Sequence, residues 1–465
     1  MGTTVRSHTT AAGEREQLAA PAAAARLRLR PSLRHPLRGI APRAVFETAL
    51  IVLGVFMQAA FFPHGATSDG YGRYVELSQL LDKGILTSGK YSLIGPLFST
   101  PLYLLGRLYH SPSWAISYYN AAVFAIGLLA LYLLLKDAVD RRLLRIFLLL
   151  LVTTTLFPQS TLDFFGEPFT AVCVGVGLVA VVFRRSWRGW VVIALGVANT
   201  PASLVGLALA AAGRVLFARR LWPLLAVVLA GALVGLENFI RRGSPTNSGY
   251  EAGFGYPIVI GLISIFFSYG KGLIFFTPGL LLPIRSRLLG AGDDASRRLY
   301  QVYLLWMAFL AGMILVYSDW WAWFGGWWWG PRFFLIACLP ASLALAIYLR
   351  SPSHSLLVNL AVLAVLALSI WVGINGLIFG LQGLNICTRG YNYLIPLCVY
   401  NPQYSELWRA FLVPLPFGKR DVIYCAYSLV AFGYLALPVA RAIAHQARET
   451  ASAYRAHGGL RTWRF

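Results

Sequence analysis

Long apolar stretches separated by short polar segments make up most of the chain. A helix of about 20 apolar residues spans the hydrocarbon core of a bilayer, and helices satisfy their own backbone hydrogen bonds there. The pattern therefore predicts an all-α polytopic membrane protein with about 12 transmembrane helices, together with interfacial helices and loops on the outer face. The predicted spans are 44–62, 115–135, 142–160, 167–183, 188–200, 202–217, 221–240, 258–284, 299–317, 332–349, 355–380 and 422–440.

Three places depart from this regular alternation. The fifth and sixth predicted spans are short and meet at a proline, Asn199-Thr200-Pro201, so a broken pair is predicted there. The eighth span is interrupted at 268–272, which reads SYGKG. Segment 93–110 is apolar but contains glycines and prolines. It is interpreted as an interfacial or re-entrant helix, with a full span as the alternative.

Composition agrees with a lipid environment, since only 12% of the residues are charged and the mean hydropathy is +0.64. The net charge of +22 is concentrated in two termini and in short basic clusters at every second gap between apolar runs. Such a distribution follows the positive-inside rule and indicates contact with anionic lipid, with no nucleic-acid partner. It predicts a multi-pass protein of the cell membrane with both termini in the cytoplasm.

Three regions follow from this topology. Residues 1–43 form a predicted disordered basic cytoplasmic tail, 44–440 the transmembrane domain, and 441–465 a second basic cytoplasmic tail. Two cysteines, Cys387 and Cys398, share one predicted outer loop, and a disulfide between them is a hypothesis that holds if the loop is extracytoplasmic.

Tryptophan is concentrated at one predicted outer loop, 317–334, which reads YSDWWAWFGGWWWGPRFF. Aromatic rings of this kind favour the membrane–water interface, so an aromatic belt is one interpretation. The glycines and the Gly330-Pro331-Arg332 sequence indicate in addition a shaped turn that carries a cation at membrane depth. Trp327 and Trp328 are candidates for lining a substrate cavity there.

Acidic residues number only 18, so those on predicted outer loops are informative. Asp69 precedes a short amphipathic helix predicted over 74–82, and a carboxylate there could accept a proton from a hydroxyl group. The alternative is that Asp69 caps this helix. Asp163 and Glu167 are four residues apart and would share a face if helical, whereas Glu167 could also begin the fourth span.

Cations on the predicted outer side run against the charge bias of membrane proteins. Lys271 lies in the glycine-flanked break, where a phosphate on a lipid head group is the natural partner, and snorkelling to the interface is the alternative. Arg241 and Arg332 are further candidates for binding a phosphate. Three more residues near these loops are candidates for lining the substrate cavity, because aromatic faces stack on sugar rings: Tyr71, Arg73 and Tyr250.

Several of these stretches resemble the GT-C superfamily of integral-membrane glycosyltransferases, which use polyprenyl-phosphate sugars on the outer face. The resemblance spans most of 44–410 and is carried by the Asp69 loop and the following pieces: LDFFGEPFTA, FIRRGSPTNSGY, FSYGKGLIFFTP, WFGGWWWGPRFFLIACLP and YNPQYSEL.

The resemblance implies an inverting transfer to a hydroxyl of a glycan or lipid acceptor in cell-envelope glycan biosynthesis, with Asp69 as general base. It also implies that Lys271 binds the carrier phosphate, with Arg332 as a helper. The chain departs from many members because Gly70 follows Asp69. The second acid is then Asp163 or Glu167. No cofactor and no metal-ligand spacing is identified, although dependence on a divalent metal stays open.

Two other functions stay open at this point. The chain could be a transporter or flippase for a lipid-linked sugar, although the polar candidates lie at span ends and no internal repeat is evident. It could also be a non-catalytic subunit with the same fold.

Overall fold

A computed structural model of the protein describes residues 42–250, 253–326, 328–380 and 395–456. The first half of these ranges consists of helices joined by short loops. Its α-helices are α1 (Pro42–Phe61), α2 (Ser68–Lys83), α3 (Ile94–Leu97), α4 (Thr100–Leu108), α5 (Pro112–Ser117), α6 (Tyr119–Leu135), α7 (Arg141–Thr153), α8 (Phe157–Ser160), α9 (Glu167–Phe183), α10 (Trp187–Asn199), α11 (Leu204–Ala218) and α12 (Leu225–Arg242).

The second half is helical as well and includes a short 3₁₀ helix, Arg332–Ala337, that leads directly into α17. Its α-helices are α13 (Ile258–Phe267), α14 (Leu273–Phe276), α15 (Arg285–Leu289), α16 (Asp294–Ser318), α17 (Cys338–Arg350), α18 (Leu356–Ile378), α19 (Ile395–Tyr400) and α20 (Lys419–Ala456).

Eight helical segments in the described ranges are long and apolar enough to cross a membrane. The protein is therefore an all-α polytopic membrane protein, as the hydrophobic pattern predicts. Several predicted spans correspond to helices that are shorter than a spanning helix of about 20 residues. Helices α7 and α10, for example, contain only 13 residues each. The eight segments are Pro42–Phe61, Pro112–Leu135, Pro201–Ala218, Trp222–Arg242, Asp294–Ser318, Arg332–Arg350, Leu356–Ile378 and Lys419–Ser452.

The predicted interruptions are present in the structure. Helix α10 ends at Asn199, and a 3₁₀ turn that starts at Pro201 leads into α11. Helix α13 ends at Phe267, and the chain becomes helical again at Leu273, so the SYGKG segment is a break. In 93–110 the chain forms the two short helices α3 and α4, neither of which is long enough to span a bilayer.

Helix α17 forms the centre of the bundle. Every residue of α17 except Arg350 is buried, and the helix packs against α7, α16, α18 and α20. A fully buried apolar helix has little freedom to move, because its neighbours fill the space around it. The 3₁₀ helix that precedes α17, and with it the backbone of Arg332, is therefore fixed relative to the core.

Two polar clusters lie at opposite ends of α1, which is about 30 Å long at 1.5 Å per residue. Near the start of α1, the fully buried Glu47 pairs with Arg145 and lies 3.2 Å from Arg43 Nε. Beyond the end of α1, the loop 62–67 leads to Asp69 in the first turn of α2. The second cluster contains most of the candidate site residues.

Candidate functional site

Asp69 and Arg332 form an ion pair beyond the end of α1, at the first turn of α2. Nη2 of Arg332 lies 2.6 Å from Oδ2 of Asp69, and 28% of the Asp69 side chain is exposed against 11% of that of Arg332. The other carboxylate oxygen, Oδ1, accepts a hydrogen bond of 2.7 Å from the Tyr91 hydroxyl. Two of the predicted site residues are thus brought together, and Tyr91 joins them.

Asp69 does not cap α2, contrary to the alternative raised from the sequence. The N-cap residue is Thr67, and no side-chain capping hydrogen bond is made there. Asp69 instead lies within the first turn, from which its carboxylate extends to Tyr91 and Arg332. Its orientation is therefore set by contacts with distant parts of the chain.

Arg332 is held in a pocket of aromatic and acidic groups. Its guanidinium lies 4.6 Å from the centre of the Phe165 ring and 5.1 Å from that of Phe333, as in cation–π contacts. Its Nε lies 3.7 Å from Oε1 of Glu167 and has no hydrogen-bond partner among the described residues. The guanidinium is therefore charged, nearly buried and incompletely hydrogen-bonded.

The backbone before Arg332 requires glycine. Gly330 adopts a left-handed conformation, with φ of 68°, that other residues adopt at a cost. Gly325 is also left-handed, and a Cβ at that position would lie 3.0 Å from Cγ of Arg332. These glycines let the chain turn sharply and approach the arginine closely.

The environment of Asp69 favours the carboxylate form. Burial acts to raise the pKa of Asp69, but the charge of Arg332 and the hydrogen bonds from Tyr91 and Arg332 outweigh it. The pKa of Asp69 therefore lies below its usual value, and the group is ionised at neutral pH. Burial and the neighbouring Asp69 also raise the pKa of the Tyr91 hydroxyl, so Tyr91 stays a hydrogen-bond donor.

Glu167 and Asp163 have different surroundings. Helix α9 begins at Glu167, as the alternative prediction has it, so Asp163 lies outside this helix and the two acids do not share a helix face. Glu167 lies in the first turn of α9, where a negative charge is favourable, and faces Arg332. It is the second acid of the Asp69–Arg332 cluster.

Asp163 is buried and connects two loops. Its carboxylate accepts hydrogen bonds from the backbone N–H groups of Thr67 and Phe164, at 3.0 and 2.7 Å, and from the Thr67 hydroxyl. A Cβ at Gly70 would clash with this carboxylate. Burial raises the pKa of Asp163 to about 6. The side chain thus fixes the loop that leads into α2, and this placement favours a structural role.

Lys271 contacts the 328–330 turn that precedes Arg332, and its side chain is only 3% exposed. Its Nζ lies 3.1 Å from Oε1 of the fully buried Glu406. The ammonium also donates to the backbone carbonyls of Trp328 and Gly330. The expected phosphate contact of Lys271 stays a prediction, and these partners favour a structural role.

Arg241 also has a complete set of protein partners. Its Nε donates to the Thr87 carbonyl, Nη1 to the Tyr91 carbonyl and Glu237, and Nη2 to Glu76 and the Gly89 carbonyl. These contacts account for all five N–H groups of a guanidinium. Arg241 therefore holds the segment 87–91, and with it Tyr91, against the end of α12.

The residues predicted to line the substrate cavity differ in how far they are buried. Tyr71 and Tyr250 are 58% and 47% exposed, and Lys90 Nζ lies 5.4 Å from the centre of the Tyr250 ring. Arg73 is nearly buried, and its guanidinium lies 5.2 Å from the centre of the Tyr91 ring. The tyrosines can contact a substrate directly, whereas Arg73 supports Tyr91.

Two further predictions concern the tryptophan run and the cysteines. Trp328 is buried, and its ring meets that of Phe165 at a centroid distance of 4.3 Å, while Trp327 lies outside the described residues. Cys398 is buried and disulfide-bonded. Cys387 lies outside the described residues, so the predicted pairing stays a prediction.

No group of three or more His, Cys, Asp or Glu side chains in the described ranges could hold a metal ion. The acids of the candidate site are paired with cations instead, Asp69 and Glu167 with Arg332 and Glu406 with Lys271. The described site thus consists of carboxylates, guanidinium and ammonium groups, and aromatic rings.

Sequence reasoning missed Tyr91 and Glu406. Tyr91 lies in an irregular segment between α2 and α3, and Glu406 lies between two 3₁₀ turns, so neither belongs to a periodic pattern. Glu406 is part of the YNPQYSEL stretch and is one of few acids in the predicted outer loops, a signal that could have identified it. Tyr91 carries no comparable signal.

No protein-family model matches the chain, and no curated protein sequence matches it. Two solved structures are similar to it, both of ArnT from Cupriavidus metallidurans, one bound to undecaprenyl phosphate and one in the apo state. Each is 13% identical to this chain and covers 85% of it, and the match covers 77% of ArnT. The TM-scores are 0.47 and 0.45.

Proposed function

We propose that the protein is an inverting membrane glycosyltransferase that moves a sugar from a polyprenyl-phosphate carrier to a hydroxyl group of a glycan or lipid acceptor at the outer face. The observation that carries the proposal is the Asp69–Arg332 pair, with 2.6 Å between Oδ2 and Nη2. The pair supports the proposal because a carboxylate that can accept a proton and a cation that can bind phosphate lie together and are partly exposed. The proposed reaction uses both groups, and it requires no nucleotide-binding domain.

The chemistry assigns one role to each member of the pair. The acceptor oxygen attacks the anomeric carbon and forms the new glycosidic bond, while Asp69 takes the hydroxyl proton. The bond between the anomeric carbon and the phosphate oxygen breaks, and its electron pair stays on the departing phosphate. Arg332 stabilises this added negative charge, a contribution on the order of a few kcal/mol.

Arg332 is suited to bind the phosphate because its hydrogen-bonding capacity is not exhausted. Its Nε has no hydrogen-bond partner among the described residues, and a guanidinium recognises phosphate oxygens through parallel N–H groups. Glu167 at 3.7 Å balances part of its charge and orients it. A phosphate and Asp69 would therefore compete for the same cation.

This competition makes Asp69 a stronger base when the donor phosphate is bound. Without donor, Arg332 and Tyr91 keep the pKa of Asp69 below its usual value, which makes the carboxylate a weak base. A donor phosphate that draws Arg332 away removes the largest stabilising charge and lets this pKa rise. General-base catalysis improves as the pKa of the base approaches the working pH.

The acceptor is proposed to approach over the exposed aromatic residues beside Asp69. Tyr71 lies two residues after Asp69, and Tyr250 faces Lys90, the neighbour of Tyr91. Aromatic faces of this kind bind the apolar faces of sugar rings, and the tyrosine hydroxyls can bind their polar edges. A carbohydrate acceptor thus fits this side better than an acyl chain does.

Lipid mass spectrometry on cells that lack this protein tests the proposal. We expect a polyprenyl-phosphate sugar to accumulate and one glycosylated product to disappear, and the wild-type gene to reverse both changes. Restoration of the product by Asp69→Asn would contradict the assignment of Asp69 as base, and would leave another carboxylate as base or lipid movement as the function. An unchanged lipid pool would exclude a polyprenyl-phosphate sugar as the donor.

A further inference from the structure

Lys271 and Glu406 form an ion pair that is isolated from solvent. Their side chains are 3% and 0% exposed, and Nζ of Lys271 lies 3.1 Å from Oε1 of Glu406. Two opposite charges are tolerated at such depth only when their remaining hydrogen-bonding capacity is also satisfied. Their other partners therefore show what the pair holds in place.

All of these partners lie in the turn before Arg332. The ammonium donates to the backbone carbonyls of Trp328 and Gly330, the second over 3.2 Å. The carboxylate in turn accepts from the backbone N–H of Gly330. An ammonium has three N–H groups, and the two carbonyls together with Glu406 account for all three.

The loop that supplies Glu406 is itself attached to the break that supplies Lys271. The Ser405 hydroxyl donates to the Tyr269 carbonyl over 2.7 Å, and the Gly270 N–H donates to the Val399 carbonyl over 3.0 Å. The two backbone segments also approach closely, since a Cβ at Gly270 would clash with the Cys398 carbonyl oxygen. The ion pair thus bridges three segments that are far apart in the sequence.

We propose that Lys271 and Glu406 are positioning residues that lock the 328–330 turn and so aim Arg332 at Asp69 and the donor phosphate. The inference rests on the proposed function for the role of Arg332. It differs from a direct phosphate contact by Lys271, because the ammonium has no N–H group left for a ligand among its described contacts. Arg332 follows Gly330 by only two positions, so a shift of the turn moves the guanidinium.

The two assignments predict opposite results for a pair of variants. Lys271→Met alone leaves the Glu406 carboxylate buried without its cation, which is strongly unfavourable. Lys271→Met combined with Glu406→Gln removes both charges. The amide oxygen that the second substitution introduces can still accept from the Gly330 N–H, and its NH₂ group can donate to a turn carbonyl in place of the ammonium. Neutral replacement of a whole buried pair is often tolerated.

The experiment measures transfer rate, thermal unfolding and amide hydrogen exchange of residues 328–334 in the full-length protein and in both variants. For the single variant we expect at least a tenfold fall in kcat with little change in the KM for the lipid-linked donor, a lower unfolding temperature and faster exchange. The double variant should recover most of the wild-type kcat, unfolding temperature and slow amide exchange. A single variant that fails to fold leaves the double variant as the test.

A lysine that binds phosphate would give another result. The double variant would then be no more active than the single one, and the KM for the donor would be raised in both, which would overturn the proposal. Exchange and unfolding do not depend on catalysis. If the wild type shows no transfer, the proposed function fails, and equal exchange rates of the turn in all three proteins would separately overturn the positioning role.

Discussion

Arg332 pairs with Asp69 across 263 positions of sequence, with 2.6 Å between Nη2 and Oδ2. The aspartate enters from the first turn of α2, while the arginine is presented by a glycine-rich turn at the start of the most buried segment of the bundle. The pair thus connects a peripheral helix to the core. A displacement of either element would change the distance between base and cation.

Asp69→Asn should slow transfer strongly without unfolding the protein. The amide oxygen can still accept from Arg332 and the amide N–H group can donate to the Tyr91 hydroxyl, but the side chain cannot take a proton at neutral pH. A positioned general base contributes about 10²- to 10⁴-fold to a rate, so kcat should fall by that factor. Steady-state transfer assays together with thermal unfolding in detergent would measure both effects.

A matched control is available on the same helix. Asp82 and Arg107 form a more exposed Asp–Arg pair, with 3.4 Å between Oδ1 and Nη1 and side chains that are 41% and 53% exposed. Exposed pairs of this kind contribute little to stability. Asp82→Asn should keep wild-type turnover, and equal losses in both variants would mean that Asp69 is not special.

Arg332→Lys should impair the reaction although it preserves the charge. A single ammonium cannot reproduce the planar fork that reaches Asp69 through Nη2 and faces Glu167 through Nε. We expect turnover to fall by about 10²-fold, the usual effect of losing a group that stabilises transition-state charge. Kinetics with the lipid-linked donor would show this loss, with Arg107→Lys as the control. Turnover within about twofold of wild type would remove Arg332 from the phosphate site.

Tyr91→Phe should change the pH dependence more than the maximal rate. The Tyr91 hydroxyl favours the ionised form of Asp69, so its removal raises the pKa of that carboxyl. A hydrogen bond to a charged group corresponds to about one to two pH units. The acidic limb of the rate profile should move upward by this amount. An unshifted limb would show that Asp69 does not set it; Tyr74→Phe serves as the control.

Asp163→Asn should alter stability, since Asp163 joins the Thr67 and Phe164 backbones. The folded-state pKa of about 6 lies above the unfolded value near 4. The folded protein therefore binds the proton more tightly, and the wild type should lose stability relative to the Asn variant as the pH rises from about 4 to about 6. Thermal unfolding across this range tests the sign, and a difference that does not depend on pH would refute it.

The membrane fold and its interruptions could be predicted from the sequence because they depend on local chemistry. Apolar run length specifies a spanning helix, and Pro201 and the glycines around Lys271 specify breaks. Helix α2 extends from Ser68 to Lys83 and includes the amphipathic segment predicted over 74–82. The scarcity of acids on the predicted outer loops likewise marked Asp69 as a candidate, and its role as base stays a prediction.

The pairing of the charged groups could not be predicted in the same way. Glu406 meets Lys271 across 135 positions, and flanking glycines permit an ion pair as readily as a ligand site. The spacing of Asp163 and Glu167 left open whether they share a helix face or whether Glu167 begins the fourth span, and only the packed structure shows that α9 starts at Glu167. Which charges meet depends on how the segments pack, and local patterns do not encode that.

Reconstitution in vesicles tests directly whether the protein transfers a sugar from a lipid-linked donor and whether Asp69 acts as the base. Other cellular enzymes are absent from this assay. Purified wild-type protein and the Asp69→Asn variant would be placed in vesicles that contain the lipid-linked sugars extracted from cells lacking the protein. Release of free polyprenyl phosphate is then followed by mass spectrometry. We expect release with the wild type and about 10²-fold less with Asp69→Asn. Equal release with both proteins, or none with the wild type in the presence of acceptor, would show that the protein does not carry out this transfer through Asp69.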